Sequence, residues 1–159
     1  MDDKLARFAR IVRRAQRYTE ARSEPLGGGH PFETRNIHSR FPSTVRSLFD
    51  DGHYAQATFE AFKFIDKEVQ RFAGSTESGF KLMMSAFKDS PPHLNLTPMV
   101  TMSDKDEQKG YQFLFAGAIL AIRNPRGHEY SLVDSPDTCL DHLGFGSQLL
   151  RRLEQGGHK

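Results

Sequence analysis

Residues 123–130 carry side chains that can act on a phosphodiester. The guanidinium of Arg123 offers a charged fork that fits phosphate oxygens, and the imidazole of His128 can accept or donate a proton near neutral pH. Cleavage of RNA without a metal needs positive charge on the phosphate and proton transfer at the attacking and leaving oxygens. DNA lacks the 2′-hydroxyl that attacks in such a reaction, so the predicted substrate is RNA.

Two neighbours extend the predicted site. We expect Asn124 to orient the histidine or a phosphate oxygen, and Arg126 to add positive charge at the substrate. Proton transfer by side chains suffices for this reaction, so we expect no cofactor and no metal ion.

An arginine a few residues before a histidine is a common pattern, and context has to select among its occurrences. The pattern also occurs at Arg46 with His53 and at Arg152 with His158. Only Arg123 follows a long apolar run, residues 113–122. Because Pro125 disfavours helical geometry at Asn124, the helix is predicted to end there and the next residues to fold back. That reversal would bring Arg123 and His128 together.

A structural role would explain the same two residues. Arg123 would then interact with the dipole at the C-terminal end of its helix, and His128 would be a hydrogen-bonded loop residue. Cys139 is expected to be a small core residue, since nothing beside it in sequence indicates an activated thiol.

Apolar residues at helical spacing predict the elements that position the motif. They are a short helix after Pro42 that Gly52 ends, a core helix over 54–72, a short helix near 80–87, a helix that starts at Ser103 and reaches Ile122, and a last helix that starts at Ser135. Strand-like alternation is absent from the sequence. The predicted fold class is therefore all-α, a helical bundle of about four to five main helices with short satellite helices.

Two features of the fourth helix are predicted in more detail. Ser103 and Asp106 have the form of a capping box at its start. Residues 111–122 are apolar on nearly every side, so this helix is either central to the bundle or partly buried by a second copy of the chain.

The N-terminal part differs from the rest in charge. Residues 1–29 are predicted to form a basic amphipathic helix, over 4–22, followed by a Gly-rich linker, and residues 30–159 form the helical domain. Residues 1–22 carry a net charge of +4, which leaves −2 for the remainder of the +2 chain. Attraction to nucleic acid must then be local. The arginine face of the helix could equally be solvated, contact phosphate or dock a partner.

Length and composition limit the class of protein. The 159 residues, 37% of them apolar, suffice for one core. A single cysteine excludes an intramolecular disulfide framework. The longest apolar run is about half of what a membrane-spanning helix requires. We expect a cytoplasmic protein that does not enter a membrane.

At the motif, the sequence resembles the HEPN (higher eukaryotes and prokaryotes nucleotide-binding) superfamily. Its ribonuclease members are α-helical bundles that carry an arginine, a polar residue, several further positions and a histidine. Arg123, Asn124 and His128 match that order, and Tyr130 stands where some toxin members have a tyrosine.

The sequence is more closely similar to the bacterial Ymh-type group, over roughly residues 36–153. That resemblance rests on 52–54 (Gly-His-Tyr), Ala57, 60–63 (Glu-Ala-Phe-Lys), Gly79, 82–83 (Leu-Met), 86–87 (Ala-Phe), 117–118 (Gly-Ala), 122–125 (Ile-Arg-Asn-Pro) and 128–129 (His-Glu).

The HEPN resemblance implies a symmetric homodimer in which two copies of Arg123 and His128 form one site. It implies an endoribonuclease of phage defence, abortive infection or toxin systems, with a possible antitoxin or defence-system partner protein. Tyr130 could be a target of a partner nucleotidyltransferase or an ordinary aromatic anchor. Two other functions stay open from the sequence: a non-catalytic module that binds nucleotide, RNA or protein, and a DNA-binding regulator that uses residues 4–22.

Overall fold

The structure, a computed structural model, describes residues 29–89, 91–129 and 131–159. The predicted basic helix over 4–22 lies outside these residues. A short helix, α1 (Pro31–Thr34), belongs to a different unit from the compact one that runs from Arg35 to Lys159.

The compact unit is built from helices, which confirms the all-α prediction. They are α2 (Ser43–Asp50), α3 (Tyr54–Ala73), α4 (Gly79–Ala86), α5 (Met102–Ala118), a π-helical turn (Ile119–Arg123), α6 (Asn124–His128) and α7 (Pro136–Gln155). No strand occurs among the described residues. Of the helices in that part of the chain, none is long and apolar enough to span a membrane.

Helix α3 is the centre of the bundle and packs against α2, α4, α6, α7 and the π-helical turn. The stripe predicted over 54–72 is buried, including Phe62, Ile65 and Val69. Gly146 of α7 allows a close approach, because a Cβ there would lie 3.1 Å from Phe41 Cζ and 3.2 Å from Ile65 Cδ1. Apolar burial of this extent supplies the main stabilisation of a small bundle.

A left-handed turn at Gly52 joins α2 to α3, as the sequence predicts. Gly52 has φ +80°, which a residue with a Cβ rarely adopts. The His53 N–H donates to the Leu48 carbonyl at 2.8 Å and closes the end of α2. The turn therefore places His53 and Tyr54 at the first residues of α3, beside the cleft described below.

The start of α5 differs from the prediction. Thr101 is the N-cap: its Oγ1 accepts from the Asp104 N–H at 3.1 Å, and Asp104 Oδ2 accepts from the Thr101 N–H at 2.9 Å. The predicted capping pair, Ser103 with Asp106, is wrong by two residues. Both pairs satisfy the same pattern, and the earlier one adds residues to the start of the helix.

Helix α5 is not surrounded. The inner face of α5 and of the π-helical turn after it, with Phe115 and Ile119, is buried, but the outer face exposes Phe113 (56%) and Leu114 (43%) on α5 and Leu120 (49%) on the turn. These three side chains and Gly117, which has open space around it, form what we call the apolar strip. A central position in the bundle is thus wrong for this helix, and no described residue covers the strip.

We expect Thr101→Ala to lower the free energy of unfolding by about 1 kcal/mol, because Asp104 loses its reciprocal partner at the helix start. Ser103→Ala is the matched control and should change it by less than about 0.5 kcal/mol. Chemical denaturation monitored by circular dichroism measures both. Equal losses from the two substitutions would contradict the observed cap.

Candidate functional site

The helix does not end at Pro125, so the predicted chain reversal is wrong. Asn124 has helical dihedrals, φ −65° and ψ −44°, and α6 continues to His128. The turn before it is π-helical: the Asn124 N–H donates to the Ile119 carbonyl, five residues earlier. A proline ring clashes with the carbonyl four residues before it in an α-helix. Widening that turn relieves the clash and places Pro125 in the first turn of a new helical segment.

Arg123 is half-buried beside α3. Its Nη1 donates to Asn124 Oδ1 at 3.0 Å, and its guanidinium carbon lies 5.4 Å from the centroid of the Phe59 ring. Its Nε is buried and has no hydrogen-bond partner. An unpaired buried donor costs about 1–3 kcal/mol, so an acceptor that reached this atom would be bound favourably.

His128 is the last residue of α6 and is exposed. None of the described residues forms a hydrogen bond or ion pair with its imidazole. Five residues of helix separate it from Arg123 by about 7 Å along the axis and place the two side chains on different faces. The backbone of one chain therefore does not bring Arg123 and His128 together. Tyr130 lies outside the described residues.

Arg126 has a different role from the predicted one. Its side chain is 7% exposed and forms a two-point ion pair with Asp134, which is 6% exposed, at 2.6 and 2.7 Å. Its Nη1 also donates to the Ile122 carbonyl at 2.8 Å. We call Arg126 and Asp134 the buried clamp, because they tie the segment after α6 to the helix before it. A guanidinium neutralised in this way is not available to add charge at a substrate.

The clamp continues to α7. Arg126 Nη2 lies 3.3 Å from His142 Nδ1, which must accept this hydrogen bond because a guanidinium only donates. Burial lowers the pKa of His142, and the positive charge of Arg126 lowers it further. Deeper in the core, Cys139 is buried as predicted, and burial raises the pKa of its thiol to about 11. A thiol with that pKa stays protonated at neutral pH.

A cleft of about 490 Å³ lies against the motif. Its walls include residues of the α2–α3 turn and α3 on one side, and of α6 and the following segment on the other: His53, Tyr54, Phe59, Glu60, Gly127 and Glu129. Gly127 permits this approach, since a Cβ there would lie 2.8 Å from Phe59 Cε2. The buried clamp also lines the cleft and holds its wall in place.

The sequence singles out Arg123, Asn124 and His128 as candidate site residues, but it does not identify the clamp partner Asp134 or the contact of Arg123 with the Phe59 ring. Phe59 was assigned to the core stripe of α3 because its spacing fits that stripe. Nothing near Asp134 in sequence distinguishes it from a surface carboxylate. Only the ion pair that it forms with Arg126 in the structure identifies it.

The comparisons with known proteins give one match. The model of a family described as "Protein of unknown function (Hypoth_ymh)" matches residues 35–153. The matched range begins at Arg35, the first residue of the compact unit, and includes the motif and the cleft. No curated protein and no solved structure matches the chain.

We expect Asp134→Asn to lower the free energy of unfolding by about 3–5 kcal/mol, because it leaves the buried guanidinium of Arg126 uncompensated. Asp51→Asn, at an exposed carboxylate that has no ion-pair partner among the described residues, is the control and should stay within about 0.5 kcal/mol of the parent protein. Urea denaturation gives both values. A loss below about 1 kcal/mol for Asp134→Asn would show that the clamp is solvated.

Proposed function

The chain belongs to the Hypoth_ymh family, and we propose that it is a metal-independent endoribonuclease whose site is formed by a homodimer. Two groups carry the proposal, and neither Arg123 Nε nor the imidazole of His128 has a hydrogen-bond partner among the described residues. The imidazole is exposed, and the guanidinium of Arg123 is half-buried. Both stand on one continuous helical stretch, and their neighbours Phe59, Gly127 and Glu129 line a cleft. Side chains with unmet hydrogen-bonding capacity at a cleft are typical of binding and catalytic sites.

In the proposed reaction each of these groups has a different role. One His128 takes the proton of the 2′-hydroxyl, whose oxygen attacks the adjacent phosphorus, and an imidazolium gives a proton to the leaving 5′-oxygen. Arg123 binds the phosphate while its negative charge grows. The products are a 2′,3′-cyclic phosphate and a 5′-hydroxyl end. Asn124 holds Arg123 through the hydrogen bond from Nη1 and thus orients it toward the phosphate.

One histidine cannot be the base and the acid at the same moment, so the mechanism needs a second copy of His128. The apolar strip offers a surface through which a second subunit would bind and bring its own His128 to the site. Leu120, Asn124 and His128 follow one another at spacings of four residues, so the outer face that carries the strip leads to the imidazole. Two strips packed about a two-fold axis would bury exposed apolar surface and bring both histidines to one site.

The dimer also explains how Arg123 and His128 can act together although they lie on different faces of the helix. An arginine of one subunit and a histidine of its partner can approach the same phosphate. The resemblance of residues 123, 124 and 128 to HEPN ribonucleases agrees with this arrangement. It extends the proposal to phage defence or toxin systems, in which an antitoxin or another defence-system protein would restrain the cleavage.

A non-catalytic binding module is the second candidate, and one observation favours it. The buried clamp removes Arg126 from the substrate, so fewer cations face the phosphate than the sequence suggests. Such a module would bind RNA, nucleotide or a partner protein at the cleft without cleaving anything.

We expect the purified protein to cleave labelled RNA in the presence of EDTA. His128→Ala should slow this cleavage by about 10²–10⁴-fold, because it removes the proton-transfer group. Arg123→Ala should slow it as well, by removing charge stabilisation of the phosphate. His93→Ala, an exposed histidine in the loop after α4 and away from the cleft, is the control and should cleave at the parent rate. Intact RNA with binding retained would favour the module, and cleavage unaffected by His128→Ala would reject the assignment.

Leu120→Asp is expected to convert a dimer into a monomer, because it places a charge in the apolar strip. The same variant should lose RNA cleavage while keeping its helical circular dichroism. Met102→Asp, at a side chain that is 73% exposed but outside the strip, is the matched control and should stay dimeric. Analytical ultracentrifugation measures the mass. A parent protein that is monomeric at tens of micromolar yet cleaves RNA would exclude the composite site.

A further inference from the structure

The cleft lies beside His128, the residue that is proposed to transfer protons during RNA cleavage. Gly127 and Glu129, on either side of His128 in sequence, both line it. If a scissile phosphate lies at His128, the adjacent nucleotide is the one that reaches the cleft. The inference that follows rests on the proposed function and concerns which nucleotide that is.

The charges in the cleft are unfavourable for a phosphate. Arg126, which lines the cleft, is neutralised by Asp134, while Glu60, also in the lining, accepts from Lys63 at 3.2 and 3.3 Å. Glu129 lines the cleft as well and has no ion-pair partner among the described residues. An uncharged group that donates hydrogen bonds is therefore a better occupant than an anion.

The walls of the cleft fit a planar ring. Tyr54 and Phe59 contribute aromatic surface, and Leu132 and Val133, the latter 89% exposed, contribute aliphatic surface. Proteins bind unpaired RNA bases on such surfaces and read the free hydrogen-bonding edge with polar side chains. A volume of about 490 Å³ is ample for one base with its ribose.

The carboxylate of Glu129 distinguishes the four RNA bases by the donors and acceptors on their edges. An ionised carboxylate only accepts hydrogen bonds, through two oxygens side by side. Guanine presents two adjacent donors, N1–H and the 2-amino group, on one edge. Adenine and cytosine present an amino group next to a ring nitrogen that accepts, and uracil presents one N–H between two carbonyls, so each of them sets an acceptor against an acceptor. We propose that the cleft binds a guanine base of the RNA, with Glu129 accepting from N1–H and the 2-amino group.

The test compares two ligands that differ in one group. Guanosine monophosphate and inosine monophosphate are titrated into the full chain and followed by NMR; inosine lacks only the 2-amino group. The expected result is a dissociation constant about tenfold lower for the guanosine ligand, as one arm of a two-point contact is worth about that much. Glu129→Gln should abolish the difference, and Glu107→Gln, a glutamate of α5 that contacts Arg152 instead of the cleft, should preserve it.

A second arm uses RNA substrates with a single guanosine, which is replaced by inosine in a matched RNA. Preferred cleavage beside guanosine, lost with inosine and lost in Glu129→Gln, is the expected result. Cleavage without preference for guanosine overturns this inference and leaves the nuclease proposal intact. Selective binding of the guanosine ligand without any cleavage supports the inference and rejects the nuclease. Equal binding of the two ligands, or no binding at millimolar concentration, overturns the assignment of the cleft.

Discussion

Pro125 sets the geometry of the motif, because it has no N–H to donate and its ring cannot pass the carbonyl four residues earlier. The chain meets this constraint with one wide turn, in which the Asn124 N–H reaches back to Ile119, and the helix then continues. A sharp break would have folded His128 back over Arg123. The wide turn keeps both on one axis and on different faces, which directs Arg123 toward α3 and leaves the imidazole outside.

The same turn explains why the clamp stands where it does. Asp134, eight residues after Arg126, forms a buried two-point ion pair with it. Burial makes both partners necessary, since either one alone would be a charge without solvent. The Arg126 guanidinium also donates to the Ile122 carbonyl and to His142, so one side chain joins the wide turn, the segment after α6 and α7. Arg126 thus stabilises the structure near the motif, although the sequence predicts that it adds positive charge at the substrate.

Because Asp134 neutralises Arg126, the motif and the cleft beside it form two surfaces that differ in charge. Around Arg123 and His128, a half-buried guanidinium and an exposed imidazole provide groups that bind an anion. Across Gly127, the cleft has aromatic walls and the carboxylate of Glu129, which has no ion-pair partner among the described residues. A polynucleotide offers both kinds of group at neighbouring positions, an anionic phosphate and an uncharged base, whereas a small anion offers only the first. This juxtaposition is the structural reason for preferring a nucleic-acid ligand over a free phosphate.

The periodicity of apolar residues was sufficient to predict the all-α class and the extent of α3, because burial of one helix face is a local demand. The turn at Gly52 was predictable because a residue at positive φ favours glycine, and Cys139 was predictable as a core residue because nothing beside it in sequence indicates an activated thiol. The choice between Thr101 and Ser103 as the cap was not local, because the same pattern fits both. Whether Pro125 breaks a helix or is absorbed depends on the packing of the wide turn against α3. The partner of Arg126 lies eight residues ahead in a segment without periodicity. Residue types alone determined which side chains can do chemistry; the tertiary structure decided which of them are free to do it, because a charge buried beside its counter-charge is no longer available to a ligand.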